Sequence, residues 1–137
     1  MSDPAPSAAP LRIIVTGASR GIGAAIVTAL SDGGHKVLGL SSRDGNLADP
    51  AVPAWLWAMA GERLGGAPDV LINNAGVFEP NPIDSADADW LASWNRTLQI
   101  NLTASAELCR FAVRDWRAAG RGGRIVNIAS RAAYRGD

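Results

Sequence analysis

The sequence predicts an α/β fold, an open, doubly wound parallel sheet with helices on both faces. Three observations carry that expectation. Short apolar runs of strand length alternate with longer stretches of helical pattern, which implies right-handed crossovers between parallel strands. The runs are apolar at successive positions rather than at alternate ones, as suits strands covered on both faces. The first run leads through a glycine-rich turn directly into a helical pattern.

The elements follow in order. Met1–Pro10 holds three prolines with Ala and Ser and reads as a disordered tail. Leu11–Thr16 is the first strand, ending at Gly17. Ile22–Leu30 is a helix closed by Gly33-Gly34. Val37–Leu40 is the second strand, followed by polar Ser41–Asn46. Asp49 is placed to cap a helix over Ala51–Leu64, with Pro50 at its first position and Gly65-Gly66 at its end. Val70–Asn73 is the third strand. A long helical stretch begins at Asp84 or Ser85 and reaches about Ala119. After the turn Gly120–Gly123, Arg124–Ala129 is the fourth strand. Nothing divides a second domain from residues 11–137, and no internal repeat is visible.

Composition narrows the function classes. The 137 residues are 47% hydrophobic and 19% charged, with zero formal net charge, which excludes a disordered chain and a strongly basic nucleic-acid binder. The single cysteine, Cys109, excludes a disulfide scaffold and a cysteine-rich metal site. No apolar run approaches the ~20 residues of a membrane span. The N-terminal residues lack the charge and apolar stretch of a signal peptide, so the expectation is a soluble, cytoplasmic protein. Residues 1–109 carry 6 basic and 11 acidic groups, and residues 110–137 carry 7 and 2. Arg110, Arg114 and Arg117 fall at helical spacing, so this basic end reads as a solvated helix face rather than a site for an anionic partner. Trp55 and Trp57 stand two apart on one helix and cannot share a face, so one of them is expected either exposed at a contact surface or covering the sheet where edge elements are missing.

Two motifs carry chemistry. Thr16-Gly17-Ala18-Ser19-Arg20-Gly21-Ile22-Gly23 joins strand to helix. Glycines there permit a tight turn and close approach of a pyrophosphate, which the free N–H groups of the helix start bind. Asn73-Asn74-Ala75-Gly76 closes the third strand. Alone, each also reads as an ordinary turn, since Asn and Gly tolerate left-handed geometry. Together with Asn101 in the long helix and Ile125-Val126-Asn127-Ile128-Ala129-Ser130, they resemble the short-chain dehydrogenase/reductase family over Leu11–Tyr134.

That resemblance implies a Rossmann-like domain, here C-terminally truncated, and an oxidoreductase that moves hydride between a nicotinamide cofactor and a small carbonyl or secondary alcohol. It assigns Gly17, Ser19, Arg20, Gly21, Ile22 and Gly23 to the cofactor-phosphate loop. Asn74, Ala75 and Gly76 match the adenosine-side wall. Asn101 matches the asparagine whose backbone carbonyl holds a relay water, and Ser130 the serine that hydrogen-bonds the substrate carbonyl. Asn46 and Leu47 match the segment that touches the adenine, although Asn46 stands where the family has Asp. The second strand ends in Leu40-Ser41-Ser42-Arg43, with no acid before Asp44. NAD-binding sites put an acid there, and NADP-binding sites an arginine. Ser42, Arg43 and Arg20 therefore point to NADP rather than NAD.

The chain also departs from the family. The family's tyrosine and lysine would fall at positions 143 and 147, beyond Asp137. A tyrosine general acid and the lysine that lowers its pKa are thus lacking, and residues 1–137 alone are expected to be inactive. Tyr134 and Lys36, the only residues of their types, are out of place. The alternative reading is a non-catalytic nucleotide-binding or interaction protein derived from the family. The interval from Gly17 to Asn73 is short, so the family's third strand is expected to be deleted or reduced. Homo-oligomerisation is implied for a complete chain, and no metal, nucleic acid or membrane partner is implied. His35, in a helix–strand turn, and Cys109, in the long helix, read as structural residues.

Overall fold

The computed structural model describes residues 9–135. Most of the expected N-terminal tail, residues 1–8, lies outside the described residues, and Ala9 and Pro10 are exposed. The elements run β1 (Arg12–Thr16), α1 (Gly21–Asp32), β2 (Lys36–Leu40), α2 (Val52–Leu64), β3 (Val70–Asn73) and α3 (Asp87–Leu98). A π-helical segment, Gln99–Thr103, joins α3 to α4 (Ala104–Ala118), followed by β4 (Arg124–Asn127) and a short α5 (Ala132–Arg135).

The four strands form one parallel sheet in the order β2-β1-β3-β4. From β1 the chain moves first to one side, then to the other. The order therefore reverses between β1 and β3, and such a reversal opens a crevice at the strands' C-terminal ends. Among the described residues β2 is an edge strand, in keeping with the reduced edge expected from the short Gly17–Asn73 interval.

Successive side chains of a strand point to opposite faces, and here each face finds a cover. Ile13, Val15, Val70 and Ile72 pack with Ile26, Val27 and Leu30 of α1. Ile14, Leu40 and Leu71 pack with Leu56, Trp57 and Ala60 of α2 and with Leu108, Phe111 and Ala112 of α4. The β1 run is apolar throughout because it feeds both layers.

Several boundaries differ from the sequence reading. The second helix begins at Val52, not Ala51. Asp49 does not cap it but closes a turn before it, its Oδ1 accepting from Ala51 N–H at 2.9 Å. Gly65 ends this helix in the left-handed conformation, as expected. The long helix begins at Asp87 rather than Asp84 or Ser85. Ser85 N–H donates to Pro82 C=O in a turn, and Ala86 is extended, so the first helical bond runs from Trp90 N–H to Ala86 C=O. The π-helical segment then interrupts the stretch. β4 stops at Asn127, two residues early. Trp57 is buried, with its indole N–H donating to Asp115 Oδ2 at 2.7 Å, while Trp55 is exposed. Arg110, Arg114 and Arg117 lie on the exposed face of α4.

Candidate functional site

A cavity of about 440 Å³ opens at the crevice, a volume usual for small-molecule sites. Its floor is the end of β1 and the turn that follows. Thr16 is buried, and its Oγ1 accepts from the backbone N–H groups of Asn74 (3.1 Å) and Ala75 (3.0 Å). In return, Asn74 Nδ2 donates to the carbonyls of Thr16 (3.1 Å) and Gly17 (3.0 Å). The two motifs found in the sequence thus form one hydrogen-bonded clamp across adjacent strand ends. Asn74 lines the cavity, as expected of a wall residue, and also holds the turn.

The turn accepts only glycine at two points. Gly17 has φ of 64°, and a Cβ there would lie 2.7 Å from the Ala75 Cα. At Gly23 a Cβ would lie 2.2 Å from the Gly17 carbonyl oxygen and 2.5 Å from Asn74 Nδ2. Gly23 is accordingly buried under the turn and does not line the cavity. No side chain caps α1, and Arg20 at its start is extended. The first helical bond runs from Ala24 N–H to Arg20 C=O, so the N–H groups of Gly21, Ile22 and Gly23 keep no helical acceptor. An uncapped helix start beside a cavity suits an anion. The residues present therefore fit the pyrophosphate of a dinucleotide.

Around this cradle the cavity gathers most of the sequence-assigned residues. Ser19, Arg20, Gly21 and Ile22 contribute from the turn, Ser42, Asn46 and Leu47 from the stretch after β2, and Ala75 and Gly76 from the stretch after β3. Asn46 Oδ1 accepts from Ala48 N–H at 3.0 Å, an Asx turn that uses the side chain locally. Arg43 is exposed and is not part of the lining. The sequence reading missed Leu40, Leu56, Val77, Arg96 and Ile100, all of which line the cavity. Leu40 and Leu56 are core residues with one face on the cavity. Arg96 forms an ion pair with Glu79.

The two catalytic candidates lie apart from this cavity. Asn101 sits in the π-helical segment and clasps Val77, its Oδ1 accepting from Val77 N–H and its Nδ2 donating to Val77 C=O, both at 2.8 Å. With Asn73, Ser105, Cys109 and Asn127 it borders a second cavity between α4 and the ends of β3 and β4. Asn73 Nδ2 donates there to Asn127 Oδ1 at 2.9 Å and to Cys109 Sγ at 3.3 Å, while its buried Oδ1 has no partner. Ser130 lines neither of these cavities. It is exposed, and its Oγ accepts from Ala132 N–H at 3.1 Å, capping the turn into α5. Tyr134 in α5 is 90% exposed. Lys36 starts β2, at the end of the sheet away from the crevice. His35 Nδ1 accepts from Leu11 N–H, a structural role.

The family model described as short chain dehydrogenase matches residues 45–136. The chain belongs to the short-chain dehydrogenase family. The short chain dehydrogenase ausX of Emericella nidulans is 36% identical over 93% of this chain and 71% of its own length. Two other curated relatives are matched over only 52% and 53% of their length, so this chain spans about half of them. Two solved structures share the fold closely. A 4-hydroxyisoleucine dehydrogenase complexed with NADH aligns with a TM-score of 0.73 and 28% identity, over 86% of this chain and 55% of that one. A blue fluorescent protein from a metagenomic library, in complex with NADPH, aligns with a TM-score of 0.65 and 30% identity, over 90% and 57%. Both cofactor types thus occur on this fold, and a Rossmann-like architecture and a nicotinamide cofactor are supported. Among the described residues no helix is long and apolar enough to cross a membrane.

Proposed function

We propose that the chain is the cofactor-binding part of an NADP-dependent oxidoreductase, acting between NADPH and a small carbonyl compound or secondary alcohol. The observation that carries this reading is the clamped glycine turn at the uncapped start of α1, with Arg20 on the cavity wall and no acidic side chain in the lining. A bound nicotinamide dinucleotide supplies or accepts the hydride; the protein supplies placement and protons. Gly21 and Ile22 hold the pyrophosphate through backbone N–H groups, and Gly23 packs beneath the turn that presents them. Arg20 and Arg43 pair with the ribose 2′-phosphate, which a guanidinium can grip with two hydrogen bonds. Ser130 still has a hydroxyl proton to donate to a carbonyl oxygen as negative charge grows there. Asn101 fixes the strand-end segment at Val77 and orders the relay side of the site. A soluble, cytoplasmic setting and assembly of a complete chain into homo-oligomers belong to the same proposal.

A second reading concerns residues 1–137 by themselves. The only tyrosine is exposed on α5, and the only lysine starts β2 at the far end of the sheet. This favours a chain that binds nucleotide without turning over substrate. General acid–base catalysis contributes roughly 10²- to 10⁴-fold, so its loss removes measurable ketone reduction. Titration with NADPH and NADH, followed by a steady-state assay with a small ketone, tests both readings. Preferential NADPH binding, abolished in the Arg20→Ala, Arg43→Ala double variant, together with no NADPH oxidation, is expected. Equal affinity for the two cofactors contradicts the NADP assignment. Turnover that Tyr134→Phe abolishes contradicts the inactivity.

A further inference from the structure

Asp44 is the first acid after β2, and by sequence it could have served a ribose hydroxyl. The structure directs it elsewhere. Ser41, Ser42, Gly45 and Asn46 line the cavity, but Asp44 does not. Its Oδ2 accepts from Ser41 N–H at 2.9 Å and from Ser41 Oγ at 3.4 Å. Its Oδ1 meets Arg63 Nη1 of α2 at 3.4 Å. The backbone closes the same loop, because the N–H groups of Asp44 and Gly45 both donate to Ser41 C=O, at 3.0 and 3.3 Å. Arg43 N–H adds a bond to Ser41 Oγ at 3.3 Å. Gly45 packs this turn onto α2, where a Cβ would lie 2.7 Å from Val52 Cγ1.

We propose that Asp44 is a positioning residue for recognition of the 2′-phosphate: it ties the Ser41–Gly45 turn shut, holding Ser42 at the cavity and Arg43 beside it, with its own charge turned onto Arg63. This rests on the NADP reading of the site and extends it. An acid in this region, usually the mark of a ribose diol, here supports the opposite preference. The main contribution is the acceptor for Ser41 N–H. The ion pair with Arg63 is largely exposed and adds little.

The test measures NADP⁺ and NAD⁺ affinity of the whole chain by titration, with Asp44→Asn and Asp44→Ala. Asparagine keeps an acceptor for Ser41 N–H; alanine does not. The wild-type chain should prefer NADP⁺. Asp44→Ala should weaken NADP⁺ binding about three- to tenfold, the scale of one hydrogen bond, and leave NAD⁺ within about twofold. Asp44→Asn should keep the wild-type preference. If both variants bind NADP⁺ more tightly, Asp44 acts as a repelling charge and the proposal fails. Equal weakening of both cofactors in Asp44→Ala makes it a general scaffold residue and also defeats the proposal. A preference retained in Asp44→Ala overturns this inference alone. A wild-type chain without the preference, or without binding of either cofactor, overturns the cofactor reading and this inference with it.

Discussion

The C-terminal ends of β1 and β4 stand at the same end of one parallel sheet and could hardly differ more in finish. At β1, Thr16 and Asn74 exchange four hydrogen bonds with the neighbouring backbone, and Val15 is fully buried. At β4 and just beyond it, Val126 and Ile128 are 43% and 42% exposed and Ser130 is exposed, while Asn73 at the adjoining end of β3 keeps a buried oxygen without a partner. Polar groups buried without partners are costly, so a site usually satisfies them. The proposed nucleotide side is thus closely hydrogen-bonded, while the side expected to meet substrate is more exposed and leaves one buried polar atom unpaired. The proposed nucleotide cradle is built from local turn chemistry, and the ends of β1 to β3 bring its residues together.

Substitutions can break this contrast. The largest effect is expected for Gly23→Ala. Its methyl group would overlap the Gly17 carbonyl and the Asn74 amide, both held by the clamp, so something rigid must move. Overpacking of this kind costs about 1–3 kcal/mol, and nucleotide binding should be lost with the shape of the turn. Chemical denaturation and NADPH titration check this; binding retained at wild-type strength would show that the turn tolerates a side chain.

Thr16→Val comes next. It keeps the volume but removes the acceptor shared by Asn74 and Ala75 N–H. About 1–3 kcal/mol of stability should be lost, since two partly buried donors are left without their acceptor. The smallest effect is expected at the other end. Val126→Ala removes a half-exposed side chain from β4 and should change stability by less than about 1 kcal/mol. A larger loss at Val126 than at Thr16, read from the same unfolding curves, would reverse the comparison.

How much of this was legible in the sequence follows from the physics of each element. The four strands and both glycine-terminated helices were readable because apolar runs and glycine punctuation are local signals. The helix starts were not. Asp49 has the composition of a cap, but its side chain closes a turn onto Ala51 N–H, and the helix opens after it. The π-helical segment spans only Gln99–Thr103, too short to alter a hydrophobic period. The cradle was legible because glycine positions encode close approach. Leu56 and Ile100 were not, because a buried apolar residue looks the same in sequence whether it touches core or cavity. The sequence also could not tell that Asp44 is bonded to its own turn.

The central claim is that nucleotide recognition lies wholly at the β1–β3 end. Amide hydrogen exchange of the chain with and without saturating NADP⁺ tests it most directly, because each region reports separately. Residues 17–24, 41–47 and 74–76 should gain protection, while residues 124–130 exchange as before. Protection appearing at residues 124–130, or none in the glycine turn, would contradict the account.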